Sequence, residues 1–519
     1  MDFSVQNLSN NENEPCIYLS LQSNNVLLDC SLQRFSKKLF KTPNFTQQIS
    51  KEIDFVLITN YNHLLALPFL TEFTDFNGKI FATEPVAEFG KLMMLELVTL
   101  MKEEQNPVFF EGKFTSFYDV HDVESCVSKI KRLHFSENVQ FNDKISFTPL
   151  SSGFSLGSSN WIINYLNLQV RVSTISEHSI SYMSNSSFSE FGHASAFEQN
   201  LLNNNDYFIF NNISVNDGQS RIKKTLEQIC SATSKTIQDK GNVIFPISPF
   251  GYAYDLINLI STQLETIGFG HIPIHVVSPV AKFSFHMANI FGEWMNKNLQ
   301  NNLYFSKKPL KYGNLIENGL LHFHEEASTI FANFQGPFII FITHPSLELG
   351  EAGILLQELR YHRASSVICT DSNYNYQNLG IYLNQPNNST NFNMEKIKFF
   401  EFNLNFCLTV DELFNLISIS NTKNFIFPNN INPKILKTLS EQQNIINKVH
   451  YFSEELGFKL DFKIDKSLIN LNFWINEKTA VKLKSICSNS SNVKVDGNFE
   501  LGLNLKNYIN IKGFNKIQR

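Results

Sequence analysis

At 519 residues with 43% hydrophobic side chains, the chain exceeds what one hydrophobic core serves and is expected to fold as two or three domains. Its formal net charge of −5 leaves no global basic footprint for sequence-independent nucleic-acid binding, and local clusters such as Lys37-Lys38 and Lys307-Lys308 read as solvated faces. The seven cysteines are odd in number, scattered and never C-x-x-C, so neither a disulfide framework nor a zinc finger is indicated; with no apolar run approaching a membrane span, a soluble intracellular protein is expected.

In chain order, a hairpin is expected from residues 16–21 and 26–30, the second strand carrying Asp29. An apolar strand at 55–59 runs into the polar turn Asn60-Tyr61-Asn62-His63, followed by Leu64-Leu65-Ala66-Leu67-Pro68. A short strand at 78–83 precedes a long helix opened by Glu84-Pro85, with Phe89, Leu92, Met93, Leu97 and Leu100 at spacings of three and four. Residues 144–172 read as strands around the turn at 151–159, completing a half made of sheets with helices outside.

After the Asn-rich link at 203–205, strands at 242–247, 274–277, 338–343 and 366–370 alternate with helices, which argues for a parallel sheet covered on both faces. No G-x-G-x-x-G or P-loop motif follows these strands, so a nucleotide site has little support. Ser248, Ser278 and Ser346 read as helix N-caps, His344 as part of a turn, and His286 as lying on the apolar face of its helix. Past residue 391, a strand at 397–402, a helix at 410–417 and a strand at 424–427 resume the first texture, as if the second domain were an insertion. Residues 458–505 alternate in a β manner.

The segments VLLDCSL (with Asp29), LITNYNHLLALPFL, LSSGFSLGSSNWII, GNVIFPISPFGYAYDLI and FIIFITHPSLELGE, in this order, resemble the metallo-β-lactamase/β-CASP family of RNA-processing nucleases. The resemblance runs from about residue 29 to 428 and implies an α/β fold: a metallo-β-lactamase αβ/βα sandwich with an inserted Rossmann-like β-CASP domain on a parallel sheet. The expected division is 1–205 for the first part of the lactamase domain, 206–390 for the β-CASP domain, 391–445 for the lactamase return segment and 446–519 for a β-rich tail.

Active members of that family hold two zinc ions with imidazoles and a bridging aspartate, and so activate a water for in-line attack on phosphorus. The resemblance places their H-x-H-x-D-H motif at Asn60, Asn62, Leu64 and Leu65, the later His at Phe154 and the bridging Asp near Ile175. It places the first β-CASP acid at Asn211 and two further His positions near Asn403 and Pro428; Asp29 alone keeps the family residue. Amides are poor zinc ligands beside imidazole, and hydrocarbon side chains are none. The resemblance therefore implies a pseudo-enzyme with no catalytic residue, no metal and no cofactor, which pairs with an active endonuclease of the same fold in a nuclear RNA-processing complex. RNA would be met through that complex, and no membrane is involved. In the family this pairing depends on a C-terminal domain after a linker; either the lactamase and β-CASP domains make the contact here, or the sequence is incomplete. The best imitation of a ligand set is His322-Phe323-His324-Glu325-Glu326, in the inserted domain, and it reads as a surface coincidence. Tyr252 stands where active members carry a basic residue, which removes one phosphate contact.

Overall fold

A computed structural model describes residues 3–9, 14–21, 24–34, 39–103, 109–111, 114, 116–169, 174–189, 191–202, 205–211, 218–304, 308–333, 336–347, 349–359, 365–371, 374, 397–420, 422, 424–428, 449–452, 458–459, 494–496, 500–504, 508–512 and 516–518. They form two units, 1–460 and 461–519.

The first unit contains three large sheets. The first runs Phe458–Lys459, Phe3–Asn7, Ile17–Leu21, Asn24–Leu28, Phe55–Leu57, Lys79–Thr83, Ile130–Leu133. The predicted hairpin is its antiparallel centre, with Ile17 opposite Leu28. The second runs Val139–Gln140, Ile145–Ser151, Ser159–Gln169, Thr174–Met183, Tyr207–Phe210, Asn424–Pro428, Val449–Phe452. Their inner faces share one core: Ile17, Leu19, Phe55 and Phe81 from the first sheet meet Phe147, Trp161, Ile163 and Tyr182 from the second, all essentially inaccessible to water. Alternating residues face this core because side chains on a strand point to opposite faces in turn.

Helices cover the outer faces. Glu84–Glu103 packs on the first sheet, burying Phe89, Met93, Met94 and Leu97 at the predicted spacings. Val410–Ile419 packs on the second through Leu413, Phe414 and Ile417, and opens with a capping box between Thr409 and Glu412. This is the αβ/βα sandwich.

The third sheet is wholly parallel, in the order Leu321–His324, Ile274–Val277, Ile339–Ile342, Val243–Pro246, Ser365–Cys369, Ile397–Glu401. Its central strands are buried at every position, as a parallel sheet covered on both faces requires.

Strand pairing moves the expected boundaries. Tyr207–Phe210 lies parallel between Thr174–Met183 and Asn424–Pro428, so it belongs to the sandwich and not to the insertion expected from 206. Ile397–Glu401 pairs with Ser365–Cys369 and ends the inserted sheet, so the insertion reaches past 390. Val449–Phe452 and Phe458–Lys459 are strands of the sandwich, not of a tail beginning at 446. Residues 160–164 and 168–169 form one continuous strand rather than two. The second unit shows two antiparallel pairs, Lys494–Asp496 with Lys516–Gln518 and Glu500–Asn504 with Tyr508–Lys512. Residues 461–493 of the expected β-rich tail lie outside the described residues, as do 203–204 of the Asn-rich link.

Candidate functional site

The carboxyl ends of neighbouring strands bring Asp29, Thr59, Ser184 and Asn211 to one edge of the sandwich. Asp29 follows Asn24–Leu28 with φ of 59°, a left-handed backbone that Asp tolerates better than most residues. Its own N–H donates to Leu57 O at 2.9 Å, and the next N–H, of Cys30, donates to His63 O at 2.7 Å. The backbone thus ties this bend to the Asn60–Leu65 turn.

Asp29 is completely buried, and donors surround its carboxylate. Thr59 N–H reaches Oδ1 at 2.7 Å, Thr59 Oγ1 lies 2.9 and 2.8 Å from the two oxygens, and Tyr182 donates its hydroxyl to Oδ2 at 2.8 Å. His63 Nδ1 is 3.1 Å from Oδ2 and 2.9 Å from Asn60 Nδ2. Its ring can therefore give a proton to the carboxylate or take one from the amide. Burial and the Asp29 charge push the Tyr182 hydroxyl well above its ordinary pKa, so it stays a donor.

The residues at the former ligand positions do structural work. Asn60 is buried and caps the turn Tyr61–Leu64, its Oδ1 accepting from Asn62 N–H at 3.0 Å. That is the local reason an amide suits this position. Leu64 and Leu65 are core residues, and Leu64 presses so closely on the helix Glu84–Glu103 that a Cβ on Gly90 would sit 2.2 Å from its Cδ2. Phe154 follows Gly153, which has a φ of 74° and where an added Cβ would sit 2.2 Å from Ser187 O, leaving no room for a side chain. Phe154 and Asn62 line a cavity of about 660 Å³. Asn211 is buried beside this edge, its N–H donating to Met183 O at 2.9 Å.

Two expected positions fall elsewhere, while Pro428 stays level with Asn211 in the parallel register that pairs Ile209 with Ile426. Ile175 is the second residue of Thr174–Met183, opposite Leu168, nine residue steps before Ser184 and therefore about 30 Å from the strand end at about 3.3 Å per residue. The residue at the site is Ser184, with Oγ 3.4 Å from His63 Nδ1. Asn403 is exposed beyond the last strand of the inserted sheet, whereas Phe406 reaches the cavity wall. Pro428 is a buried strand end.

Zinc coordination asks for imidazole, thiolate or carboxylate donors with free lone pairs. The residues at this edge are amides, hydroxyls, hydrocarbons and one imidazole around one carboxylate already engaged by its neighbours, and they do not fit a zinc pair. Among the described residues no group of three or more His, Cys, Asp or Glu is placed to hold a metal ion.

His322 and His324 lie on the edge strand of the inserted sheet, with His322 opposite His275. His275 Nδ1 is 3.0 Å from His324 Nε2, the His275 and His322 rings stack at 5.2 Å, and His324 Nδ1 is 2.7 Å from Thr329 Oγ1. Burial, then repulsion from His324 and His322, push the His275 pKa down to about 3. The three rings form one packed cluster. Three smaller expectations also change. The helices after Ser248 and Ser278 begin at Gly251 and Val280 without side-chain caps, Ser278 instead donating to the buried Glu96 at 2.5 Å. His286 is exposed on its helix.

Residues 18–187 match the Metallo-beta-lactamase superfamily domain. With the sandwich and the inserted parallel sheet, the chain is an α/β protein of the metallo-β-lactamase/β-CASP fold. Within that class its similarity is to Integrator complex subunit 9: the Bos taurus protein is 30% identical over 69% of this chain and 57% of its own length. The Nematostella vectensis homolog is 29% identical over 70% of this chain and 64% of its own. A probable cleavage and polyadenylation specificity factor subunit 2 from Drosophila melanogaster is 23% identical over 69% of this chain and 45% of its own length. The chain thus spans less than two thirds of these relatives.

Reasoning from sequence missed Thr59 and Tyr182 as partners of Asp29, Ser184 beside His63, and His193 and Asp255 on the cavity wall. The available signal was positional: Ser184 directly follows the long alternating strand Thr174–Met183, as Thr59 comes shortly after Phe55–Leu57.

Proposed function

We propose that this chain is a non-catalytic scaffold subunit of the Integrator complex in the nucleus. It would pair with the catalytic endonuclease, subunit 11, and other Integrator subunits for small nuclear RNA 3′-end processing and nascent-transcript cleavage, meeting RNA through the complex. The observation that carries this reading is the Asp29 network: the one retained family acid is engaged by Thr59, Tyr182 and His63, while Asn60, Asn62, Leu64, Leu65 and Phe154 cap, pack or line a wall. A sandwich kept without its ligands is consistent with a surface, rather than a pocket, carrying the role. Similarity to Integrator complex subunit 9 supports the assignment to that complex over the cleavage and polyadenylation complex, whose relative matches at 23%.

Affinity purification of the tagged chain from its own cells tests the reading, with recovery of the subunit 11 endonuclease expected. Recovery of polyadenylation factors in its place would transfer the chain to the paralogous complex. A metal-dependent RNA hydrolase with unorthodox ligands remains the competing class, and it requires stoichiometric zinc that disappears when His322 and His324 are changed.

A further inference from the structure

The cavity beside the former ligand turn reaches the carboxyl edge of the inserted sheet, the side on which open α/β sheets hold ligands. Two neighbouring parallel strands of that sheet, Val243–Pro246 and Ser365–Cys369, deliver its acids. The first leads into the helix Tyr252–Thr266, whose first turn carries Asp255, and the second ends two residues before Asp371. Both carboxylates line the cavity. Asp255 Oδ2 lies 2.7 Å from His193 Nδ1, while its Oδ1 makes no hydrogen bond with the described residues. The Asp255 side chain keeps 11% of its surface open, against 3% for His193. A carboxylate oxygen that is mostly desolvated and still unmatched calls for a donor from a ligand. Asp371 is half-buried, and burial followed by its charge pushes the hydroxyl of Tyr252 above the ordinary tyrosine pKa.

The rest of the wall selects among ligands. Phe191 and Phe406 stack at 5.6 Å with 9° between their planes, and Tyr252 meets Phe406 at 5.8 Å, so an aromatic surface adjoins the acids. Among the described lining residues lysine and arginine are absent, and His193 is the one basic side chain. An anion would therefore meet like charge. A neutral hydrocarbon would leave Asp255 Oδ1 unmatched. A divalent metal ion needs a shell of ligands, and among the described residues no three His, Cys, Asp or Glu side chains converge to supply one. A guanidinium binds a carboxylate best through two parallel bonds, whereas Asp255 has one oxygen left to offer. An ammonium needs only one acceptor per bond; aromatic faces attract its charge, and its alkyl stem can lie along them. At about 660 Å³ the cavity is of the size that takes a small organic molecule.

We infer that this cavity binds an alkylammonium group, its charge at Asp255 and Asp371 and its hydrocarbon stem along Phe191, Phe406 and Tyr252. The group can belong to a free polyamine or to a lysine side chain of a polypeptide. This assignment stands on the cavity walls and is independent of membership in any complex.

Calorimetric titration of the full purified chain with putrescine, an Nα-acetyl-lysine amide, butanol and magnesium chloride tests it. Putrescine is expected to saturate, and butanol and magnesium are expected not to bind. Tighter binding of the lysine amide than of putrescine would assign the group to a polypeptide, and the reverse to a free polyamine; both support the site. Asp255→Asn and Asp371→Asn are each expected to weaken putrescine about tenfold, the loss of one charge-assisted contact. Glu265→Gln, an exposed acid at the far end of the same helix, should leave binding unchanged. Should Asp255→Asn fail to fold, Asp371→Asn tests the cavity without touching the His193–Asp255 pair. The inference is overturned if putrescine does not saturate by about 10 mM, if magnesium chloride displaces it at equal concentration, or if neither Asp255→Asn nor Asp371→Asn binds it more weakly than Glu265→Gln does.

Discussion

The strand-end network around Asp29 and the histidine trio of the inserted sheet are opposite halves of a metal site. The first has a carboxylate amid hydroxyls and amides with a single imidazole, and the second has three imidazoles in contact with one another. A zinc pair needs both kinds of donor in one place. Here they belong to different sheets, and each has settled into the chemistry open to it alone. Donors from Thr59, Tyr182 and the turn converge on the carboxylate. Burial and the neighbouring imidazoles disfavour the charged form of His275 and of His324.

The largest effect should come from removing the carboxylate. Asp29→Ala leaves the Thr59 N–H and the Tyr182 hydroxyl buried without their acceptor and is expected to cost about 3–5 kcal/mol in denaturant stability. A cost under about 1 kcal/mol would mean the network does not organise this edge.

Acid separates the two regions. The folded pKa of His275 lies near 3, below the ordinary value of 6.5, so between those values the unfolded chain takes up a proton that the folded chain refuses. Its contribution is therefore fully present above about pH 6.5 and is lost as pH falls towards 3, at about 1.4 kcal/mol per pH unit. His275→Gln should flatten the stability profile in that window, measured by denaturation at stepped pH. An unchanged slope would show that the trio is not what refuses the proton.

Smaller changes sharpen the picture. Asn60→Ala removes the cap on the turn and is expected to cost about 1 kcal/mol, with the fold retained by circular dichroism. Glu72→Gln breaks the partly exposed contact with Lys129 at 2.7 Å and should cost less than about 1 kcal/mol in the same denaturation assay.

How much of this was legible follows from what a sequence records. The hairpin around Asp29, the strand leading to Asn60 and the repeated strands of the insertion were readable because apolar periodicity and turn residues are local. The sheet to which a strand belongs is not local. Tyr207–Phe210 and Val243–Pro246 are both short and buried throughout, yet one closes the sandwich and the other centres the insertion. The misplacement at Ile175 has the same origin, since nothing in Thr174–Met183 marks which end of a ten-residue strand reaches the site. The expectation that ligands are replaced rests on single residues such as Asn60 and Leu64. What replaced them, a cap at Asn60 and a hydroxyl from Tyr182, could be seen only once residues 153 apart in sequence lay 2.8 Å apart.

Metal analysis of the purified full chain, expressed with zinc present, tests most directly the claim that acid and imidazoles no longer share a site. Zinc below about 0.1 per chain, unchanged by Asp29→Asn or by changing His322 and His324 together, is the predicted result. One or two tightly held zinc ions per chain, lost on either change, would contradict it.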